Sequence, residues 1–128
     1  MLEVQIFTLY PDLYPGLLDV GIYKKAKEQQ KWSLKIVDIR DYAFDNNRTV
    51  DDTPFGGGSG MLLKPDVVAA ALDKNIKSKE KIIYLSPKGK RLDQNKVKLL
   101  SKLKKINILC GHFEGIDQRL LETRNIEE

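Results

Sequence analysis

The sequence has little of the chemistry on which many small proteins depend. Its 128 residues include one cysteine, Cys110, and one histidine, His112. A single cysteine excludes an internal disulfide and favours a reducing, cytoplasmic setting. A structural zinc site needs several such ligands. No apolar run approaches the roughly 20 residues that cross a bilayer, and the N-terminus lacks a secretory signal pattern. We therefore expect a cytoplasmic protein with no membrane partner.

The familiar phosphate-binding and nucleotide-binding motifs are also missing. The glycine-rich stretch VDDTPFGGGSGM, residues 50–61, does not fit G-x-G-x-x-G, because Met61 takes the last position counted from Gly56. No G-x-x-x-x-G-K-S/T spacing occurs. A cysteine phosphatase loop starting at Cys110 needs arginine where Ile116 stands. We interpret Cys110 as a small buried residue at a strand end and His112 as a loop histidine.

The composition indicates one domain with a basic surface. Hydrophobic residues make up 41% of the chain and charged residues 31%, with a net charge of +4 and a pI near 9.1. This favours an anionic partner such as nucleic acid. A solvated lysine-rich surface explains the charge about as well.

Alternating strand and helix patterns predict an α/β domain with a mainly parallel sheet flanked by helices. Strands are predicted over 3–10, 32–39, 81–87 and 106–111. Helices are predicted over about 22–30, 65–75, 92–105 and from about 117. Asp93 is a plausible N-cap for the third helix, which carries an apolar stripe formed by Leu92, Val97, Leu99, Leu100 and Leu103. The polar segment 40–61 shows no period.

Two glycine-bearing turns follow the third and fourth predicted strands, YLSPKG and CGHFEG. Ligands of parallel sheets bind beyond the carboxyl ends of the strands. Short turns of this kind leave backbone groups accessible, so they suit a flat heterocycle covered by Leu85 or Phe113. Asp51, Asp52 and Glu114 are carboxylates in unusual backbone settings, although most such carboxylates are simply solvated.

Three long stretches carry a resemblance to a known family: VDDTPFGGGSGMLLKP, YLSPKGKRLDQ and LCGHFEGIDQRLLE. In this order and spacing they strongly resemble the bacterial tRNA (guanine-N1)-methyltransferases. IFTLYPDLYP and RDYAFDNNRTVDD match the same family. The resemblance implies a SPOUT-class trefoil-knot fold, a homodimer, S-adenosylmethionine as cofactor and tRNA as substrate. It also implies methylation at N1 of the guanine 3′ of the anticodon.

The resemblance also assigns site residues. The cofactor-binding residues are Tyr84, Leu85, Ser86, Pro87, Gly89, Gly111, Phe113, Glu114 and Gly115. The substrate-binding residues are Asp51, Gly58, Ser59 and Gly60. Phe113 and His112 stand where relatives often have tyrosine and arginine. Magnesium is a further expected cofactor, with Glu114 as the residue that could bear on it; no metal ligand set is assigned.

The family pattern continues beyond the residues present here. Its third knot segment, the linker with the catalytic aspartate and the tRNA-binding domain have no counterpart before Glu128. We therefore expect residues 1–128 to form the N-terminal part of the methyltransferase domain, without catalytic base and inactive alone. We also expect the end of the chain after Leu121 to be disordered. The alternative is a non-catalytic RNA-binding or dimerisation module built on the same scaffold.

Overall fold

A computed structural model describes residues 1–52, 62–77, 79–111, 116 and 118–128. The strands are β1 (Leu2–Thr8), β2 (Trp32–Asp38), β3 (Asp51–Asp52), β4 (Leu62–Leu63), β5 (Lys81–Tyr84) and β6 (Lys105–Leu109). The α-helices are α1 (Gly21–Glu28), α2 (Pro65–Asn75), α3 (Gln94–Ser101) and α4 (Gln118–Thr123). Short 3-10 helices cover Pro11–Leu13, Gly16–Asp19 and Ile39–Tyr42.

Four parallel strands form the main sheet, in the order β2-β1-β6-β5. Leu109 of β6 lies opposite Phe7 of β1 on one side and Tyr84 of β5 on the other. The three strands therefore end level with one another. The predicted α/β class with a parallel sheet is confirmed.

The core lies on one face of this sheet. Phe7 and Leu109 are completely buried there and pack in one cluster with apolar residues of α2 and α4. Apolar side chains at every third or fourth position of α2, such as Val68 and Leu72, give that helix its buried face. By contrast, α1 and α3 bury no residue. The predicted apolar stripe of α3 is largely exposed, with Leu92 65% and Leu99 62% accessible.

A buried pair of amides joins the two central strands. Gln5 of β1 and Asn107 of β6 are register partners, and both are almost completely inaccessible. Gln5 Nε2 donates to Asn107 Oδ1 at 2.9 Å. Asn107 Nδ2 donates in turn to the Lys81 carbonyl at 3.1 Å. Because a buried amide without partners costs about 1–3 kcal/mol, these contacts favour one register of the sheet.

The long polar segment after β2 contains more regular structure than its sequence predicts. Asp38 caps the 3-10 helix Ile39–Tyr42 by accepting from the Arg40 amide at 2.9 Å. β3 and β4 then pair antiparallel, with Asp51 opposite Leu63. The N-cap prediction for α3 is confirmed, since the Asp93 carboxylate accepts from the Lys96 amide at 2.8 Å.

The end of the chain packs beside β5, so the expectation of disorder after Leu121 is wrong. Ile126 is buried in the core cluster. The Tyr84 amide donates to the Glu127 carbonyl at 2.8 Å, and the Glu127 amide donates to the Ile82 carbonyl at 3.0 Å. The Glu127 carboxylate contacts Lys81 and Lys96. These ion pairs hold the pKa of Glu127 below its ordinary value.

We predict that Glu127→Gln lowers the free energy of unfolding at pH 7 by about 0.5–1 kcal/mol, the usual range for a partly exposed ion pair. A lowered pKa in the folded state stabilises the fold above the ordinary carboxyl pKa of 4.5. That stabilisation is lost as the pH falls through the folded-state value. Urea unfolding at several pH values measures the difference, and Glu122→Gln is the exposed control. A loss that does not diminish as the pH falls below 4.5 would contradict the ion-pair account.

Candidate functional site

The last residue of β5 touches the turn after β6 at the carboxyl edge of the sheet. A Cβ added to Gly111 would lie 2.7 Å from Cε1 and 2.8 Å from the hydroxyl of Tyr84. No side chain fits at position 111 unless the Tyr84 ring moves, so glycine is needed here for close approach. Two residues assigned to opposite walls of the cofactor site are thus neighbours.

The turn after β5 has a defined shape. Ser86 Oγ accepts from the Lys88 amide at 3.0 Å, and the Ser86 carbonyl accepts from the Gly89 amide at 3.1 Å. Gly89 lies against the Glu128 backbone, where an added Cβ would come within 2.4 Å of the carbonyl carbon. Leu85 is 63% exposed although it directly follows the buried Tyr84. An apolar side chain is therefore accessible at the strand end.

The stem of the glycine-rich loop approaches the same edge. The Lys64 amide donates to the Val50 carbonyl at 2.7 Å, which closes the chain at the base of β3 and β4. Leu63 also forms a parallel bridge to Ile116, the first described residue after the CGHFEG turn. A residue that follows the glycine-rich loop and the residue that follows the CGHFEG turn are therefore hydrogen-bonded neighbours.

Several predicted site residues lie outside the described residues. These are Gly58, Ser59, Gly60, His112, Phe113, Glu114 and Gly115. Asp51 is the first residue of β3. The described ranges contain no group of three or more His, Cys, Asp or Glu residues that could hold a metal ion. The magnesium expectation stays a prediction.

Tyr14 is a neighbour of the site that the sequence does not predict. Its hydroxyl lies 3.5 Å from the Cys110 sulfur, directly before Gly111. This hydrogen bond, with partial burial and the electrostatic interaction with Cys110, raises the pKa of Tyr14 to about 12. Cys110 is half-buried rather than fully buried, and its amide donates to the Phe7 carbonyl at 2.9 Å.

Tyr84 is neutral at physiological pH. Burial raises the pKa of its phenol, and the charge of Glu128 adds to that shift. The described side of the site therefore presents an exposed leucine, a neutral phenol and the backbone of glycine-bearing turns. Such surfaces bind flat aromatic groups by van der Waals contact and main-chain hydrogen bonds.

The fold is that of a solved tRNA methyltransferase. The chain superposes on the crystal structure of tRNA (m1G37) methyltransferase from Aquifex aeolicus with a TM-score of 0.86 and 33% sequence identity. The match covers 98% of this chain and 58% of that one.

Sequence comparison gives the family. Residues 2–128 match the family model described as tRNA (Guanine-1)-methyltransferase TrmD, and the chain belongs to this family. It is 61% identical over 128 residues to a tRNA (guanine-N(1)-)-methyltransferase of Pelagibacter ubique and 48% identical over 127 residues to that of Agrobacterium fabrum. These alignments cover 100% and 98% of this chain but 56% and 55% of the relatives. The chain spans about half the length of these relatives.

No helix within the described ranges is both long and apolar enough to span a bilayer.

We predict that Gly111→Ala destabilises the fold by about 1–3 kcal/mol, the usual cost of an overpacked site. The new methyl group must displace the Tyr84 ring. Denaturant unfolding of Gly111→Ala, Tyr84→Leu and the double variant measures the coupling. We expect the glycine substitution to cost much less when Tyr84 is leucine. An equal cost in both backgrounds would show that the contact with Tyr84 is not the cause.

Proposed function

We propose that the chain is the cofactor-binding part of an enzyme that methylates N1 of the guanine 3′ of the anticodon in tRNA. One observation carries the proposal: the end of β5 touches the turn after β6 through Tyr84 and Gly111, while the stem of the glycine-rich loop bridges to Ile116. Family membership supports the same chemistry. A trefoil knot is part of this proposal.

The proposed cofactor is S-adenosylmethionine, which supplies an electrophilic methyl group on a sulfonium. Tyr84, Leu85, Ser86, Pro87 and Gly89 would form one wall of its site. Gly111, Phe113, Glu114 and Gly115 would form the other. The exposed Leu85 suits the face of an adenine ring, and the close approach at Gly111 leaves backbone rather than side chain at the second wall.

Methylation at N1 requires a base, because the N1 proton of guanine must leave as the new bond forms. A carboxylate suits this task, and a cation near O6 would stabilise the developing negative charge. Asp51 is proposed to hold the guanine beside Gly58, Ser59 and Gly60, without being the base itself. The pairing of Asp51 with Leu63, next to the bridge to Ile116, supports a position for this residue at the carboxyl edge.

Methyl transfer tests this proposal. Because the chain covers about half of its relatives, the assay uses a fusion of this chain with the part of the Pelagibacter ubique relative that it does not cover. We expect transfer of labelled methyl groups to N1 of guanine in tRNA transcripts. No transfer by a folded fusion that binds tRNA would favour the non-catalytic RNA-binding alternative.

The two neighbouring aspartates should differ in this fusion. Asp51→Asn is expected to lower kcat/KM for tRNA by at least about tenfold, with cofactor affinity changed less than twofold, since one hydrogen bond to a charged group contributes about 1.5–3 kcal/mol. Asp52→Asn is the matched control and should retain most activity. Calorimetry measures cofactor affinity. Loss of cofactor affinity in the Asp51 variant would refute its assignment to the guanine.

We also propose that the protein is a homodimer that associates through an apolar surface formed by residues 13–23. Leu17 is 84% exposed, Ile22 76% and Leu13 65%, and Val20 and Tyr23 are more than half exposed. A contiguous apolar segment this accessible is typical of an interface. This segment follows β1 directly, so a partner would lie close to the turn that holds Tyr14.

The double variant Leu17→Glu and Ile22→Glu is predicted to convert the dimer to a monomer, because buried like charges oppose association. Sedimentation velocity measures the change in mass. Leu92→Glu with Leu99→Glu is the control, since these two leucines of the α3 region are about as exposed. Dissociation in the control alone would place the interface on α3 instead.

A further inference from the structure

A cavity of about 1130 Å³ opens at the amino edge of the sheet, opposite the candidate site. It is lined by the first residues of β5 and β6, by the turn between α2 and β5, and by Arg124 and Asn125 after α4. Leu72, Ile76 and Ile82 contribute an apolar floor. No role assigned above uses this cavity.

The charge on its lining is strongly positive. Six cationic and three acidic side chains line the cavity. Each acid is already engaged by a cation of the lining: the pairs are Asp73 with Arg124, Glu80 with Lys105, and Glu127 with Lys81. Three lysines are left without a carboxylate partner among the described residues: Lys77, Lys79 and Lys104.

The acids also make hydrogen bonds with partners other than these lysines. The Asp73 carboxylate accepts hydrogen bonds from Nε and Nη2 of Arg124, each at 3.0 Å, in a bidentate contact. Glu80 accepts from the buried Asn107 Nδ2 at 3.2 Å and contacts Lys105 at 3.3 Å. The lining therefore keeps a surplus of positive charge when these acids are paired.

The backbone that carries the free lysines is anchored as well. The Lys104 carbonyl accepts from the Glu3 amide at 2.9 Å, which ties it to the central strand. The Lys77 carbonyl accepts from the Glu80 amide at 3.4 Å, and Lys79 adopts a left-handed backbone (φ 75°). Two separate segments thus present cations to one concave surface.

We propose that this amino-edge cavity is a second RNA contact, in which Lys77, Lys79 and Lys104 bind backbone phosphates of the RNA. The inference rests on the proposed function for the choice of RNA as the polyanion. Phosphate contacts supply affinity and orientation without reading sequence. Such a contact would hold the RNA body while the carboxyl edge receives the target base.

Fluorescence anisotropy with a labelled tRNA transcript, over a range of salt concentrations, tests this contact. The variant Lys77→Gln/Lys79→Gln/Lys104→Gln in the 128-residue chain is expected to bind about tenfold more weakly in 0.1 M salt. The slope of log affinity against log salt should fall by about 2 to 3, since each phosphate contact contributes roughly 0.7–0.9. The corresponding triple arginine variant should restore both values.

A matched control removes the same charge elsewhere. Lys24→Gln/Lys35→Gln/Lys98→Gln changes three exposed lysines spread over α1, β2 and α3. We expect its affinity to fall by less than half as much on a logarithmic scale. Equal losses in the two variants, or no loss in the first, would overturn the proposed site. Circular dichroism checks that each variant is folded.

Failure of the proposed amino-edge contact is distinguishable from failure of the proposed function. Cofactor affinity by calorimetry and methyl transfer by the fusion are measured on the same variants. Unchanged RNA affinity with active methyl transfer would refute the amino-edge contact and leave the methyltransferase proposal standing. Absence of any tRNA binding by the unaltered chain would overturn the contact, while the fusion still decides the chemistry.

Discussion

The parallel pairing of β6 with β1 on one side and β5 on the other is the constraint on which the rest of the structure depends. Phe7, Leu109 and Tyr84 are register partners in one row across the sheet. The segments that follow β1, β6 and β5 therefore all leave the sheet at its carboxyl edge. The Gln5–Asn107 hydrogen bond favours this register of β1 and β6, since a shifted register would separate the two buried amides. The contact between Tyr84 and Gly111 follows from it.

Much of the fold could be predicted from the sequence because its apolar runs are short and bounded by clear breakers. KIIYLSP and INILCG predict buried strands, which the structure places at Lys81–Tyr84 and Lys105–Leu109, and Pro65 marks the start of α2. The buried Gln5 could not be predicted, because a polar residue in a strand normally indicates the solvent side. The sequence also does not predict that Ile126 is ordered, because most of the core residues with which it clusters are far away in the sequence.

The candidate site was predictable in part. Strand-end glycines indicated which turns would meet, and Gly111 does touch Tyr84. The family resemblance, rather than periodicity, assigned the chemistry, the knot and the role of Asp51. No local pattern links Tyr14 to Cys110, since the two are separated by 96 positions and meet only through the register of β1 and β6. The basic cavity could not be predicted either, because Lys104 is far from Lys77 and Lys79 in the sequence.

The short pairing of Glu127 with β5 has a consequence for solubility. The amide of Tyr84 and the carbonyl of Ile82 point outward from the last strand of the sheet, and Glu127 satisfies both. A bare edge with the sequence KIIY would offer these groups to another molecule, which is how sheets join edge to edge and aggregate. Among the described residues, Glu127 therefore covers the edge of β5 that would otherwise be open to such pairing.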